Sequence, residues 1–134
     1  MSIKVQLIAN ANLLNLDTAN SFEVSSHTQN DIKALRYAIE QKPDVIILQY
    51  DNKCRDTLQF INAVFLETST CKIILVGDAL AEAVVLKCIM AGCCGYLEFD
   101  VLEQFLIKAV NSVYNGEAWI SRKMVAQIIE KFRG

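Results

Sequence analysis

One histidine, one proline and one tryptophan are all that 134 residues contain of those types. With His27 the sole imidazole, no acidic cluster and no convincing pair of nucleophile and base, there is little to build an active site from, and an enzyme is the least favoured class. No run of about 18 apolar residues occurs, so no membrane span is expected. The opening MSIKVQLIAN lacks a charged leader region and a cleavage site, so a signal peptide is not expected and the cytoplasm is the expected location. A formal charge of −2 gives no basic excess for wrapping nucleic acid. Disorder is also excluded, because 53% of the residues are hydrophobic, enough for one domain with a real core.

There are five cysteines, Cys54, Cys71, Cys88, Cys93 and Cys94. An odd count without a secretion signal fits free thiols in a reducing compartment. Cys88, Cys93 and Cys94 do not form a CxxC pair, and His27 is distant in sequence. They are read as small buried thiols rather than metal ligands. No metal and no cofactor is expected.

Apolar patterning organises the rest. IKVQLI (3–8), FEVSS (22–26), VIILQ (45–49), KIILVG (72–77) and GYL (95–97) read as strands. Helical spacing of apolar residues predicts a helix over 30–41 on Ile32, Leu35 and Ile39, capped by Thr28 or Asn30 and stopped by Pro43. A second spans 56–67 with Leu58, Ile61, Phe65 and Leu66 inward and Asp56 as cap. A third spans 80–90, with Asp78 before it as a turn or cap residue. A fourth spans 101–115, with Leu102, Phe105, Leu106, Ala109 and Val113 on one face and Asp100 as cap. A last helix runs from Ser121 to about Phe132, carrying Val125, Ile128, Ile129 and Phe132. The inner strands are continuously apolar and so are covered on both faces. The expectation is an α/β fold, a doubly wound five-stranded parallel sheet of flavodoxin-like order 2-1-3-4-5, with an extra C-terminal helix. Residues 1–118 form the domain and 119–134 the appended helix.

KPDVIIL, KIILVG, IMAGCCGYLEFD and AVNSVYNGEAWIS resemble the receiver (CheY-like) domains of bacterial response regulators of the LuxR/NarL type. The resemblance spans about residues 3 to 132. Between Asn10 and Phe22 the chain is shorter than the family pattern, so the first helix of the family is stunted or replaced by loop. In such domains the last helix leads into a helix-turn-helix DNA-binding domain. The chain stops at Gly134, where that domain would begin, so DNA contact is expected only through a domain outside this chain.

The resemblance implies a phosphoryl-accepting pocket. An acidic pair ends the first strand and holds Mg²⁺ with an acceptor aspartate on the third. A serine or threonine ends the fourth, and a lysine follows the fifth. Carried over by position, the acidic pair falls on Ala9 and Asn10, the acceptor on Gln49, the hydroxyl on Gly77 and the lysine on Phe99. None of these can perform its counterpart's chemistry. Only Tyr96 matches, at the position of the family's aromatic switch. The losses agree with one another, since a lysine without anion or metal would be a charge without a partner.

The expected function is therefore a phosphorylation-independent pseudo-receiver that signals through protein contact, as the regulatory domain of a two-component-type transcription regulator. A receiver phosphorylated at a displaced Asp51 is one alternative. Redox sensing by Cys54, which Lys53 and Arg55 flank, is another. A small-molecule or flavin binder on the same sheet is a third, but NANLL after the first strand lacks a phosphate-binding glycine. Helix 80–90 is apolar on more than one face, and helix 101–115 carries Ile107 and Tyr114 off its main stripe. An interface for a protein partner or a homodimer is expected there, with Val84, Lys87, Cys88, Ile107 and Tyr114 as its candidate residues.

Overall fold

Parallel strands need connections that return the chain to the same end, which favours helices on both faces of the sheet. The computed structural model describes residues 2–9, 22–28, 32–50 and 54–133, and the side chains of Cys54 and Arg55 lie outside this description. The strands are β1 (Ile3–Ile8), β2 (Phe22–His27), β3 (Val45–Gln49), β4 (Lys72–Gly77) and β5 (Gly95–Glu98). Their order is β2-β1-β3-β4-β5, all parallel, as the apolar runs predicted. The helices are α1 (Ile32–Gln41), α2 (Cys54–Glu67), α3 (Glu82–Ala91), α4 (Leu102–Tyr114) and α5 (Arg122–Arg133).

Side-chain alternation splits the core in two. Val5, Leu7, Ala9, Val45, Ile47, Ile74, Val76 and Leu97 face α4, which closes over them with Leu102, Leu106, Ala109, Val110 and Val113. Ile8, Ile46, Leu48, Ile73 and Leu75 face α1 and α2. Asp44 fixes the register at the start of the sheet. Its carboxylate accepts the Lys4 N–H at 2.9 Å, and its own N–H donates to the Lys4 carbonyl at 2.9 Å.

Two helices dock differently from their sequence patterns. On α1 the buried residues are Ala34 and Ala38, while Ile32 is 74% exposed. The cause lies beneath: fully buried Gln6 donates from Nε2 to the Ala34 carbonyl at 2.9 Å and lies 3.2 Å from His27 Nδ1, and only alanines allow that approach. On α2, Ile61 and Val64 are buried and Phe65 and Leu66 are largely exposed. The buried stripe runs through Thr57, Ile61, Val64 and Thr68 because this is the phase that α3 and the sheet select. The caps expected from Asp78 and Asp100 do not form. Ala81 and Val101 hold the N-cap positions of α3 and α4 without a side-chain cap, and Asp100 belongs to a 3₁₀ turn, Phe99–Val101. Ser121 does cap α5, accepting the Met124 N–H at 3.1 Å. The expected caps Thr28 or Asn30 for α1 cannot be placed, since the residue preceding α1 lies outside the described residues, as does Asn30 itself.

Candidate functional site

The C-terminal ends of β1, β3, β4 and β5 bring Ala9, Gln49, Gly77 and Phe99 to one edge of the sheet. Asn10 and Asp51 lie outside the described residues, as does the stretch 10–21 where a first helix was expected to be stunted.

Ala9 is buried, and its N–H donates to the His27 carbonyl at 3.0 Å. Its methyl belongs to the apolar cluster under α4. Gln49 is half-buried at the last pair of the β3–β4 ladder, opposite Val76. Gly77 ends β4 beneath Leu80: a Cβ built at Gly77 would overlap the Leu80 side chain. A serine or threonine therefore cannot stand at this position unless Leu80 moves. Phe99 follows β5 and packs against the same cluster as Ala9. The position expected to carry an ammonium holds a half-buried aromatic ring packed on the core.

One carboxylate at this edge was not found from the sequence. Glu98 ends β5, and its Oε2 accepts the Ala79 N–H at 2.8 Å. Ala79 has φ 52, in the left-handed region that alanine adopts reluctantly. The Glu98 carboxylate thus holds the strained turn between β4 and α3. An acidic residue at the end of a strand gives no sequence signal for such a backbone partner.

Tyr96 is half-buried on β5 between the second core layer and α3, and its Oη is buried beside the Glu98 carboxylate and the Leu80 backbone, with neither placed for a well-formed hydrogen bond. Burial first, then the nearby Glu98 carboxylate, push its phenol well above the usual tyrosine value. Its backbone has a partner that no pattern suggested. Trp119, beyond α4, lies beside β5 as a parallel bridge opposite Gly95. Its N–H donates to the Cys94 carbonyl at 3.0 Å, and its carbonyl accepts the Tyr96 N–H at 3.0 Å. The indole tilts against Phe105 of α4 with ring centroids 6.2 Å apart. The chain then enters α5, which lays Met124 and Ile128 on Leu80, Val85, Leu86 and Ile89.

The structure divides the residues expected to form one interface. Lys87 is exposed and Val84 half-buried on α3. Cys88 is fully buried in the second core layer, since it is on the flank of α3 that meets the sheet. Ile107 and Tyr114 are exposed, but on α4, across the sheet from α3. At about 100° per residue they stand roughly half a turn around α4 from Phe105, the side chain that reaches the β5 edge. They cannot share one patch with Val84 and Lys87. The cause is the layer structure, which puts α3 and α4 on opposite faces.

Of the described thiols, Cys71, Cys88 and Cys93 are buried as structural groups. Burial, then Cys88 and Cys94, push the Cys93 thiol well up. Burial is also the main cause that raises Cys71, with the Thr68 hydroxyl opposing it. Both changes make the nucleophilic thiolate rarer. Among the described residues no group of three or more histidine, cysteine, aspartate or glutamate side chains is placed to hold a metal ion, and no helix is long and apolar enough to cross a membrane.

No protein-family model and no curated protein sequence matches the chain. Solved structures do. A two-component response regulator of the LuxR family from an Aurantimonas species superposes with a TM-score of 0.76 at 14% identity, over 100% of both chains. The chain has the receiver fold. The signal receiver domain of a NarL response regulator from Mycobacterium tuberculosis gives a TM-score of 0.74 at 22% identity, over 87% of this chain and 98% of that one. The isolated receiver domain of RcsB from Salmonella enterica serovar Typhimurium, with a phosphomimetic beryllofluoride, gives 0.74 at 12% identity over 94% and 98%. The receiver fold accounts for the edge at which Ala9, Gln49, Gly77 and Phe99 meet, because strand ends in an open α/β sheet converge there.

Proposed function

We propose that this protein is a degenerate receiver, a signalling module that works through protein contact and does not accept a phosphoryl group. The reading is carried by the apolar filling of the strand-end pocket. Leu80 occupies the space above Gly77, and the half-buried Phe99 ring packs against the buried cluster that contains Ala9. Phosphoryl transfer needs preorganised cations and hydroxyls around an anion, and apolar groups offer the transition state nothing. No enzymatic activity, metal or cofactor is assigned to these residues. Contact with a protein partner or a second copy is assigned to the flank formed by α3 and β5, where Val84, Lys87 and Tyr96 lie. DNA contact is left to a domain outside these residues.

The experiment is incubation with acetyl phosphate and Mg²⁺, read by intact mass, with a phosphorylatable receiver as control. The expected spectrum shows the unmodified chain alone. A stable adduct of one phosphoryl group, on Asp51 or any other residue, overturns the reading.

A further inference from the structure

α2 and α3 both connect neighbouring parallel strands over one face of the sheet, so they run side by side in the same direction. Ala83, Lys87 and Met90 recur at i, i+4 and i+7 along α3, on the side turned away from the buried Val85. Between this stripe and Leu58 of α2, bounded by Lys131 near the end of α5, lies a groove of about 430 Å³ that Leu86 also lines. The apolar surface continues beyond it. Met90 is 45% exposed, and Phe65, 55% exposed and two turns from Leu58 on α2, lies against Gly92 at the end of α3. From Ala83 to Gly92 the helix runs about 13 Å.

The charges in this groove are of one sign. Lys87 and Lys131 line it, and no carboxylate does. Both lysines are exposed, and neither is ion-paired among the described residues. Glu82, the one acid of α3, is engaged by Lys123 at 3.5 Å. Lysine stems extend an apolar wall and hold their ammonium groups at its rim. The result complements a surface that is apolar at its centre and anionic at its edges. It stands on a chain whose net charge is −2, so it does not follow from composition. Four of the lining residues, Ala83, Lys87, Met90 and Lys131, are themselves exposed, so the groove is an open trough rather than a pocket that would enclose a small ligand.

We infer that this trough is a docking site for an acidic amphipathic helix of a protein partner. The apolar face of that helix, with residues at i, i+3, i+4 and i+7, lies along Leu58, Leu86 and Met90, and its flanking carboxylates meet Lys87 and Lys131. A trough about two turns long suits a helix, and the unbranched Met90 adapts to its side chains. Apolar contact supplies most of the affinity. The two ammonium groups select the sign of the partner and speed its arrival. The inference deepens the reading that the protein works through contact, and rests on that reading for its role in signalling. The trough shares Lys87 with the α3–β5 flank and is otherwise a separate surface.

The test uses the whole chain, ¹⁵N-labelled, and a helical peptide of about 18 residues with leucines at that spacing and glutamates at the other positions. A twin with lysine for every glutamate is the control. The glutamate peptide is expected to shift the Ala83, Lys87 and Met90 amides and to leave Val24 and Tyr114 in place. It should bind at least about tenfold more tightly than its twin at low salt, with the ratio shrinking as salt rises. Lys87→Glu combined with Lys131→Glu is expected to reverse the preference. Ala83→Trp, which fills the trough from an exposed position, is expected to weaken the glutamate peptide at least about tenfold. Thermal unfolding of each variant should match the parent, because all three positions are exposed. Equal binding of the two peptides, or shifts that map to another surface, overturns the inference. So does decanoate that shifts the same amides where the glutamate peptide does not, since the site would then take a small amphiphile. Either result leaves the phosphorylation experiment standing. A phosphoryl adduct with peptide binding intact would overturn the degenerate reading and leave the trough.

Discussion

The strand-end pocket and the α3–β5 flank are neighbours that depart from simple burial in opposite directions. At the pocket, positions that suit charge in a phosphoryl-accepting receiver hold Ala9, Gln49, Gly77 and Phe99, and the space is packed. At the flank, Gln127 Oε1 lacks a partner among the described residues, Tyr96 Oη makes no well-formed hydrogen bond, and Val125, Ile129 and Phe132 face water. A site without chemistry gains stability by filling with apolar groups. A surface kept for contact retains apolar area and unsatisfied polar groups, because its partner is not always present.

The largest expected effect comes from putting a hydroxyl back into the pocket. Gly77→Thr forces its side chain into Leu80 and should lower the unfolding free energy by about 2 kcal/mol, a typical cost of overpacking. Urea unfolding measures it. Adding Leu80→Ala should recover part of the loss despite deleting an apolar side chain. A double variant less stable than the sum of the singles would mean that Leu80 is not what fills the site.

A smaller effect, dependent on pH, is expected from Gln49→Asp. The new carboxylate stands at a half-buried strand end with Phe99 where a lysine would be, so its folded pKa should rise above the unfolded value of about 3.9. Between those two values the folded chain binds more protons than the unfolded one, so stability falls as pH rises. The penalty grows from about pH 4 through the folded pKa and then levels off, at roughly 1.4 kcal/mol per unit of displacement. Unfolding at pH 5 and pH 8 reads it. A variant as stable as its parent at pH 8 would show a pocket wetter or more cationic than its lining suggests.

The smallest effect is on the flank and of opposite sign. Tyr96→Phe deletes a buried hydroxyl that makes no well-formed hydrogen bond to its neighbours Glu98 and the Leu80 backbone, so stability should stay level or rise by up to about 1 kcal/mol. A clear loss in thermal unfolding would reveal a hydrogen bond for that hydroxyl in solution and narrow the contrast between pocket and flank.

The strand-end positions of Gln49 and Gly77 were legible in the sequence, because strand ends are marked by where apolar runs stop. KPDVIIL and KIILVG bring Gln49 and Gly77 to one edge as soon as the strands are parallel. Asn10 and Asp51 were read from the same logic and lie outside the described residues. The flank was read only in part. Helix 80–90 was seen as too apolar for one buried face, and its surplus is met in part by the chain's own α5, with Met90 left exposed. Ile107 and Tyr114 were grouped with it by hydrophobicity and by the contact surface that the family resemblance implies, and helix phase turns them away from Phe105 and the β5 edge. Cys88 was placed at a surface and is in the core, since the flank of α3 that meets the sheet takes the small thiol.

The sequence by itself determined what depends on periodicity: five strands, the helices between them, the parallel order and the identity of the residues at the strand ends. These follow from local alternation and from the need to cover both faces of an apolar sheet. Tertiary structure alone decided which face each helix presents, the bond from the Ala79 N–H to Glu98 across the β4–α3 turn, and the bridge of Trp119 to β5. Each of these joins groups distant in sequence through backbone atoms or close approach. Backbone N–H and C=O groups are the same at every residue but proline, so a sequence carries no mark of which two will meet.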